Sequence, residues 1–264
     1  MIASLNSVRR ASDELLVDAE WETRVNLAAL YRMAALYGWD DLVATHISPR
    51  VPGSEHHFLL NPFGLMFEKV TASSLVKVDA EKQQVDPGNY GINCAGFVIH
   101  SAIHAARPDA KFIIHFHMAD GMSVSAHKEG LLSLNQRALT VIPSPAYHDY
   151  EGIALSLDER ERLVADLGEA HFMLLRNHGT LALGASAGAA WRRIYQIETA
   201  CTAQVRTLLI GRHNVLLAPA TAQETVRQQI ERTCRLEEGS RDITDLIWEV
   251  ALRKVERLLP GCRS

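Results

Sequence analysis

Short apolar runs alternate with longer amphipathic ones along this chain, and that alternation limits the fold more than any other feature. The runs KFIIHFH (111–117), HFMLLR (171–176) and TLALG (180–184) have strand length and strand composition. Turn residues bound them, as in Arg107-Pro-Asp109 and Asn177-His-Gly179. Between such runs the spacing predicts helices. Residues 19–37 carry Leu27, Leu30, Tyr31, Met33 and Ala34 near helical spacing, with Gly38 as the stop. Further helices are expected from about Gly96 to Arg107, over Met122–His127, over LDERERLVADLG with Ser156 or Asp158 as cap, and over about 186–210. In the last, Ala187, Ala190, Ile194, Ile197 and Cys201 form the buried stripe.

The remaining segments read as follows. LVATHIS is a strand that Pro49, Pro52 and Gly53 turn into an antiparallel partner, HHFLL. A short helical turn at 71–75 precedes a strand at 75–79, another strand lies at 139–142, and PSPAYHDYEG is a loop. Residues 220–258 form one or two charged amphipathic helices. Strands and helices mixed in this way give an α/β fold, a mixed sheet between helical layers, with no obvious linker or internal repeat.

Composition narrows the function classes. The formal charge is -4 over 264 residues, and no basic arm or basic amphipathic helix is present, so nucleic acid is not the expected partner. Cys94, Cys201, Cys234 and Cys262 form no CxxC pair and read as reduced thiols. No segment has the pattern of a signal peptide or the length of a membrane span, which points to the cytoplasm. Rossmann, P-loop and GxSxG motifs are absent.

His115 and His117 hold the chemical interest. In a strand, residues i and i+2 share a face, so both imidazoles project together. Neutral imidazole suits zinc, manganese or iron(II), and His178 in the turn RNHGT is the best third ligand. Three histidines leave a position open for water or substrate. The competing reading is a hydrogen-bonded or surface pair. His100 and His104 share a helical face, and His100 is expected to stand behind the site; His56 and His57 are not a joint site. Cys94 precedes a helix start and reads as a structural thiol or one lining a ligand pocket rather than a nucleophile.

Taken together, THIS (45–48), LLNPFG (59–64), INCAGFVIHSAIHAARPD (92–109), HFHMADGMSVSAHKEGLL (115–132), YHDYEG (147–152) and LLRNHGTLALG (174–184) resemble the class II aldolase/adducin family, its adducin-like branch especially. The resemblance covers about residues 20–215. It implies a three-layer α/β/α sandwich around a mainly antiparallel central sheet, spanning 19–215. Residues 1–18 would be an N-terminal extension, and 216–264 a C-terminal helical extension packed on the domain or a neighbouring subunit. It also implies a homotetramer and one divalent metal ion on His115, His117 and His178, with zinc first and manganese or iron(II) as alternatives.

The chain departs from the family where its sugar-phosphate aldolases place a glutamate, since Gly96 stands there. The family's phosphate-pocket positions match Thr45-His46, Phe63-Gly64 and Cys94-Ala95. A non-phosphorylated substrate is therefore expected, lined by His46, Phe63, Gly64 and Cys94, with Arg176 orienting an acid group. Proton transfer falls to Tyr147, His148 and Glu68, ahead of Asp149, Tyr150 and His100. The expected function is a metal-dependent lyase, an aldolase or decarboxylase, cleaving a C–C bond in a small oxo/hydroxy acid or aromatic acid through a metal-stabilised enolate. The alternatives are an adducin-like assembly or protein-binding module without catalysis, and an iron(II)-dependent oxygenase.

Overall fold

The computed structural model describes residues 2–54, 56–86, 90–142, 145–153, 156–233 and 242–264. Cys234 and parts of the segment 143–155 lie outside them. The strands are β1 (His46–Pro49), β2 (Phe58–Leu60), β3 (Val76–Val78), β4 (Phe112–Phe116), β5 (Pro145–His148), β6 (Phe172–Leu175) and β7 (Gly179–Gly184). One sheet runs in the order β1-β4-β7-β6-β5, and β2 and β3 form a small separate hairpin. The first three pairings of the large sheet are antiparallel, and β5 alone joins β6 in parallel.

Helices cover both faces, which makes the expected α/β/α sandwich. On one side lie α1 (Ile2–Tyr37), α6 (Ala187–Leu208) and α8 (Ile243–Leu258); on the other lie α2 (Cys94–Ala106) and α5 (Glu159–Leu167). Strand periodicity sorts the side chains of β4: Phe112, Ile114 and Phe116 enter the α1/α6 core, and Ile113 enters the α2/α5 core. His115, next but one to Ile113, shares that second face. In α6, Ala187, Ala190, Ile194, Ile197 and Cys201 are buried as the spacing predicts. Helix α8 packs on α1 and α6 of its own chain through Trp248, Ala251 and Val255; Trp248 Nε1 donates to Asn26 Oδ1 at 2.8 Å. Arg32 on α1 donates to the carbonyls of Val70, Leu259 and Pro260, tying the chain's last residues to its first helix.

Several elements differ from expectation, each for a physical reason. The first helix begins at Ile2 rather than near 19. It ends as expected: Gly38 adopts φ 68°, and the N–H groups of Gly38 and Trp39 close on the carbonyls of Ala35 and Ala34. β1 does not form a hairpin with β2. Pro49 and Pro52 offer no N–H to a ladder, so a single bridge at Arg50 and Phe58 joins the segments, and β1 pairs with β4 instead. Residues 139–142, expected as a strand, instead close the helix α4 (Gln136–Val141), with Ile142 as its C-cap. Asn135 caps it by accepting from Ala138 N, and Leu139 and Val141 are buried. The segment expected as a loop contains β5, an edge strand opened by a proline and lacking apolar alternation. The helix expected over 122–127 is α3 (Ala119–Ser125), and α7 (Ala220–Thr233) precedes α8.

Candidate metal centre

Backbone constraints bring three imidazoles together. His115 lies in β4 opposite Leu181, and His117 follows the strand's last residue. His178 arrives from the β6–β7 turn, where Asn177 takes φ 56°, a left-handed conformation that asparagine tolerates better than most residues. Gly179 then lets β7 approach β4, since a Cβ there would lie 2.3 Å from Phe116 O. The turn thus uses Asn177 for its bend, Gly179 for its fit, and aims the residue between them. His117 Nε2 lies 2.9 Å from His115 Nε2 and 3.0 Å from His178 Nε2. The three ligand atoms fall within 4.8 Å of one another. His115 is buried, and His117 and His178 are partly exposed, so the cluster opens on their side.

Partners behind the rings fix which nitrogen faces inward. His115 Nδ1 donates to the carbonyl of Thr180 at 2.9 Å. His117 Nδ1 lies 3.0 Å from Asp41 Oδ2, an acceptor only. In its neutral form each ring therefore carries its proton on Nδ1, and the two Nε2 lone pairs point at each other across 2.9 Å. Two facing lone pairs repel, and a cation between them removes the repulsion. Nitrogens about 2.0–2.1 Å from a tetrahedral zinc stand about 3.3 Å apart, close to the spacing observed. The cluster fits a divalent metal ion. Burial holds the His115 imidazole well below its ordinary pKa, and holds that of His178 down to about 4, with His117 and His148 adding to the shift. Unprotonated rings are the form that binds metal.

Asp41 was not foreseen from the sequence. It sits in a loop where Asp41 and Leu42 both take positive φ, and no spacing rule links it to His117. Glu198 was also missed. Its buried carboxyl accepts from Thr180 Oγ1, one residue behind His115, and burial pushes its pKa up to about 7.

The other expected site residues have these positions. His46 flanks the cluster and His100 stands behind it: the rings of His46 and His115 are centred 4.9 Å apart, and His46 Nδ1 is 2.8 Å from His100 Nε2. A Cβ on Gly96 would come within 2.8 Å of His46 Cγ and Cδ2, so the imidazole fills the space that a side chain at 96 would need. Tyr147 and His148 are engaged by other groups. The Tyr147 hydroxyl accepts from Leu131 N at 3.0 Å, and Arg176 stacks over its ring at 4.3 Å. His148 is buried, with Nδ1 2.7 Å from Asp166 and Nε2 3.3 Å from Glu159, which leaves neither nitrogen for substrate. Tyr150 comes nearer: half exposed, its ring lies 6.2 Å from that of His178. Arg176 Nη1 donates to the carbonyl of His127. Glu68 occupies a 3-10 turn packed on α1, outside the histidine cluster. Phe63 is half exposed beside Gly64 (φ 93°), and Cys94 is exposed with Lys82 Nζ 2.9 Å from its sulfur.

Comparison with known proteins agrees with this fold. The family model described as Class II Aldolase and Adducin N-terminal domain matches residues 25–205. A Caulobacter vibrioides protein whose name places it provisionally among class 2 aldolases is 57% identical over 244 residues, 92% of this chain and 93% of that protein. Rat alpha-adducin is 46% identical over 212 residues, which are 79% of this chain but 29% of that longer protein. The solved structure of an L-fuculose 1-phosphate aldolase from Glaciozyma antarctica superposes with a TM-score of 0.78 at 25% identity, covering 92% of both chains.

Proposed function

Because the chain belongs to the class II aldolase and adducin N-terminal domain family, we propose that it is a divalent-metal-dependent carbon–carbon lyase. Its substrate is a small, non-phosphorylated oxo or hydroxy acid or an aromatic acid, and its reaction is aldol cleavage or decarboxylation. The observation that carries this reading is the pair of facing Nε2 atoms on His115 and His117, held in place by Thr180 and Asp41, with His178 as third donor. A bound divalent ion supplies Lewis acidity that stabilises the negative charge left when a C–C bond breaks. Zinc suits three imidazoles best, and manganese or iron(II) would be accepted by the same donors.

The chain's own residues set the rest. His115, His117 and His178 hold the ion and leave its solvent side for substrate. Tyr150 Oη, on the exposed flank of His178, takes the proton-carrying role; both nitrogens of His148 face carboxylates, and the Tyr147 hydroxyl accepts from Leu131 N. His46 and Phe63 stand at positions where the sugar-phosphate enzymes of the family grip phosphate, which supports a substrate without one. The adducin-like branch, a homotetrameric assembly and a cytoplasmic location belong to the same proposal; no helix among the described residues is long and apolar enough to cross a membrane.

Metal analysis of gently purified protein tests the reading. About one divalent ion per chain is expected, and it should be lost together with C–C cleavage in His117→Ala and His178→Ala. Full metal content in both variants overturns it. The identity with rat alpha-adducin favours a second reading, a non-catalytic assembly module. That reading predicts stable assembly and no turnover of any oxo or hydroxy acid by the metal-loaded protein.

A further inference from the structure

A hydrogen-bonded file of four side chains runs behind the imidazole cluster. Strand periodicity puts His46 and Ser48 on one face of β1, and helical periodicity puts His100 and His104 on one face of α2, so the two pairs interlock. His46 Nδ1 lies 2.8 Å from His100 Nε2, His100 Nδ1 contacts Ser48 Oγ, and Ser48 Oγ lies 2.8 Å from His104 Nε2. All four are buried. The file ends at His104 Nδ1, which has the backbone of Ala110 nearby but no partner in hydrogen-bond geometry. Burial lowers the pKa of the His104 imidazole, at the far end of the file, to about 3.

A neutral imidazole carries one N–H, so the file has two proton arrangements. In one, each group donates toward His104, and His46 turns a bare Nε2 away from α2. In the other, His104 Nε2–H donates to Ser48, Ser48 to His100 Nδ1, and His100 Nε2–H to His46 Nδ1. His46 then carries its proton on Nε2. Passing between the two shifts a proton across each hydrogen bond, and it balances only when one proton leaves at His104 Nδ1 and one enters at His46 Nε2.

We propose that His46 is a substrate-contacting, specificity-determining residue: backed by this file, it offers its Nε2–H to an anionic oxygen of a substrate carboxylate beside the ion. Its ring lies beside that of His115, and the space it fills is the one a side chain at position 96 would need. A glutamate at 96 would set a negative charge there and repel such an oxygen; a neutral donor attracts it. The lyase reading supplies the ion, and this inference rests on it for the substrate class, a 2-oxo or 2-hydroxy acid gripped through its carboxylate.

The test uses zinc-loaded protein and oxalate as probe, followed by calorimetry. His46→Leu is expected to weaken oxalate binding about tenfold or more with zinc stoichiometry unchanged, and His46→Gln, which restores a neutral N–H, to recover most of the loss. The double variant His46→Ala/Gly96→Glu should bind oxalate more weakly than His46→Leu. In the unmutated protein, nitrogen NMR of labelled histidine should show His46 Nε2 protonated once oxalate is bound. Wild-type affinity in His46→Leu, or an unprotonated Nε2 in the complex, overturns the inference and leaves the lyase reading standing. Failure of the wild-type protein to take up zinc overturns both.

Discussion

Single residues around the cluster divide into those that reach for an ion and those that steady the reach. Asp41 steadies His117, and carboxylates in that position typically change metal affinity by 10–100-fold. Asp41→Asn is therefore expected to weaken zinc binding by about that factor, as read by competition with a chromogenic chelator. Glu198 tests burial instead. Its folded pKa, about 7, lies above the unfolded value of 4.5, so the folded chain holds more protons between those limits. The stabilising contribution is complete below about pH 4.5 and is lost as pH rises through about 7. Glu198→Gln should accordingly be more stable than the wild type at pH 8 and gain little at pH 4.5, in urea unfolding at both. The sequence made the three histidines legible because strand period and turn chemistry act locally. It could not reveal Asp41 or Thr180, whose contacts depend on a left-handed loop and on a neighbouring strand's carbonyl.

Among the elements, the β6–β7 turn has the strictest demands. Gly179→Ala would force a methyl group into the carbonyl of Phe116, so β4 and β7 must separate at the end that bears His117. The expected result is loss of metal from protein that still folds, seen as reduced zinc content with unchanged far-UV circular dichroism. Helix α8 offers the complementary case. Trp248 is buried against α1 and α6, and Trp248→Ala should cost about 3–5 kcal/mol in denaturant unfolding, with the geometry of the distant imidazoles unchanged. Helices with a regular apolar stripe, α6 and the second half of α1 above all, could be read from spacing. α4 and β5 could not. In α4, burial of Leu139 and Val141 and the Asn135 cap override β-branched propensity. In β5, an edge position removes the alternation that would have marked a strand.

For the whole molecule, the ligand nitrogens come from β4 and from a turn about sixty residues later, so an unfolded chain presents no preformed site. An ion that binds only the folded form adds stability by mass action, about 2.7 kcal/mol at a free concentration of 100 Kd. Melting temperature should rise with added zinc and fall on chelation; in His178→Ala neither should move it. The crowding between Gly96 and His46 has a consequence for descent. A lineage with this pair cannot acquire a carboxylate at 96 by one substitution, because the newcomer has no room until position 46 shrinks, and shrinking position 46 first abandons the file behind it. The two positions are bound to change as a couple, which separates this kind of site from its glutamate-bearing cousins by an uphill intermediate rather than by a smooth path.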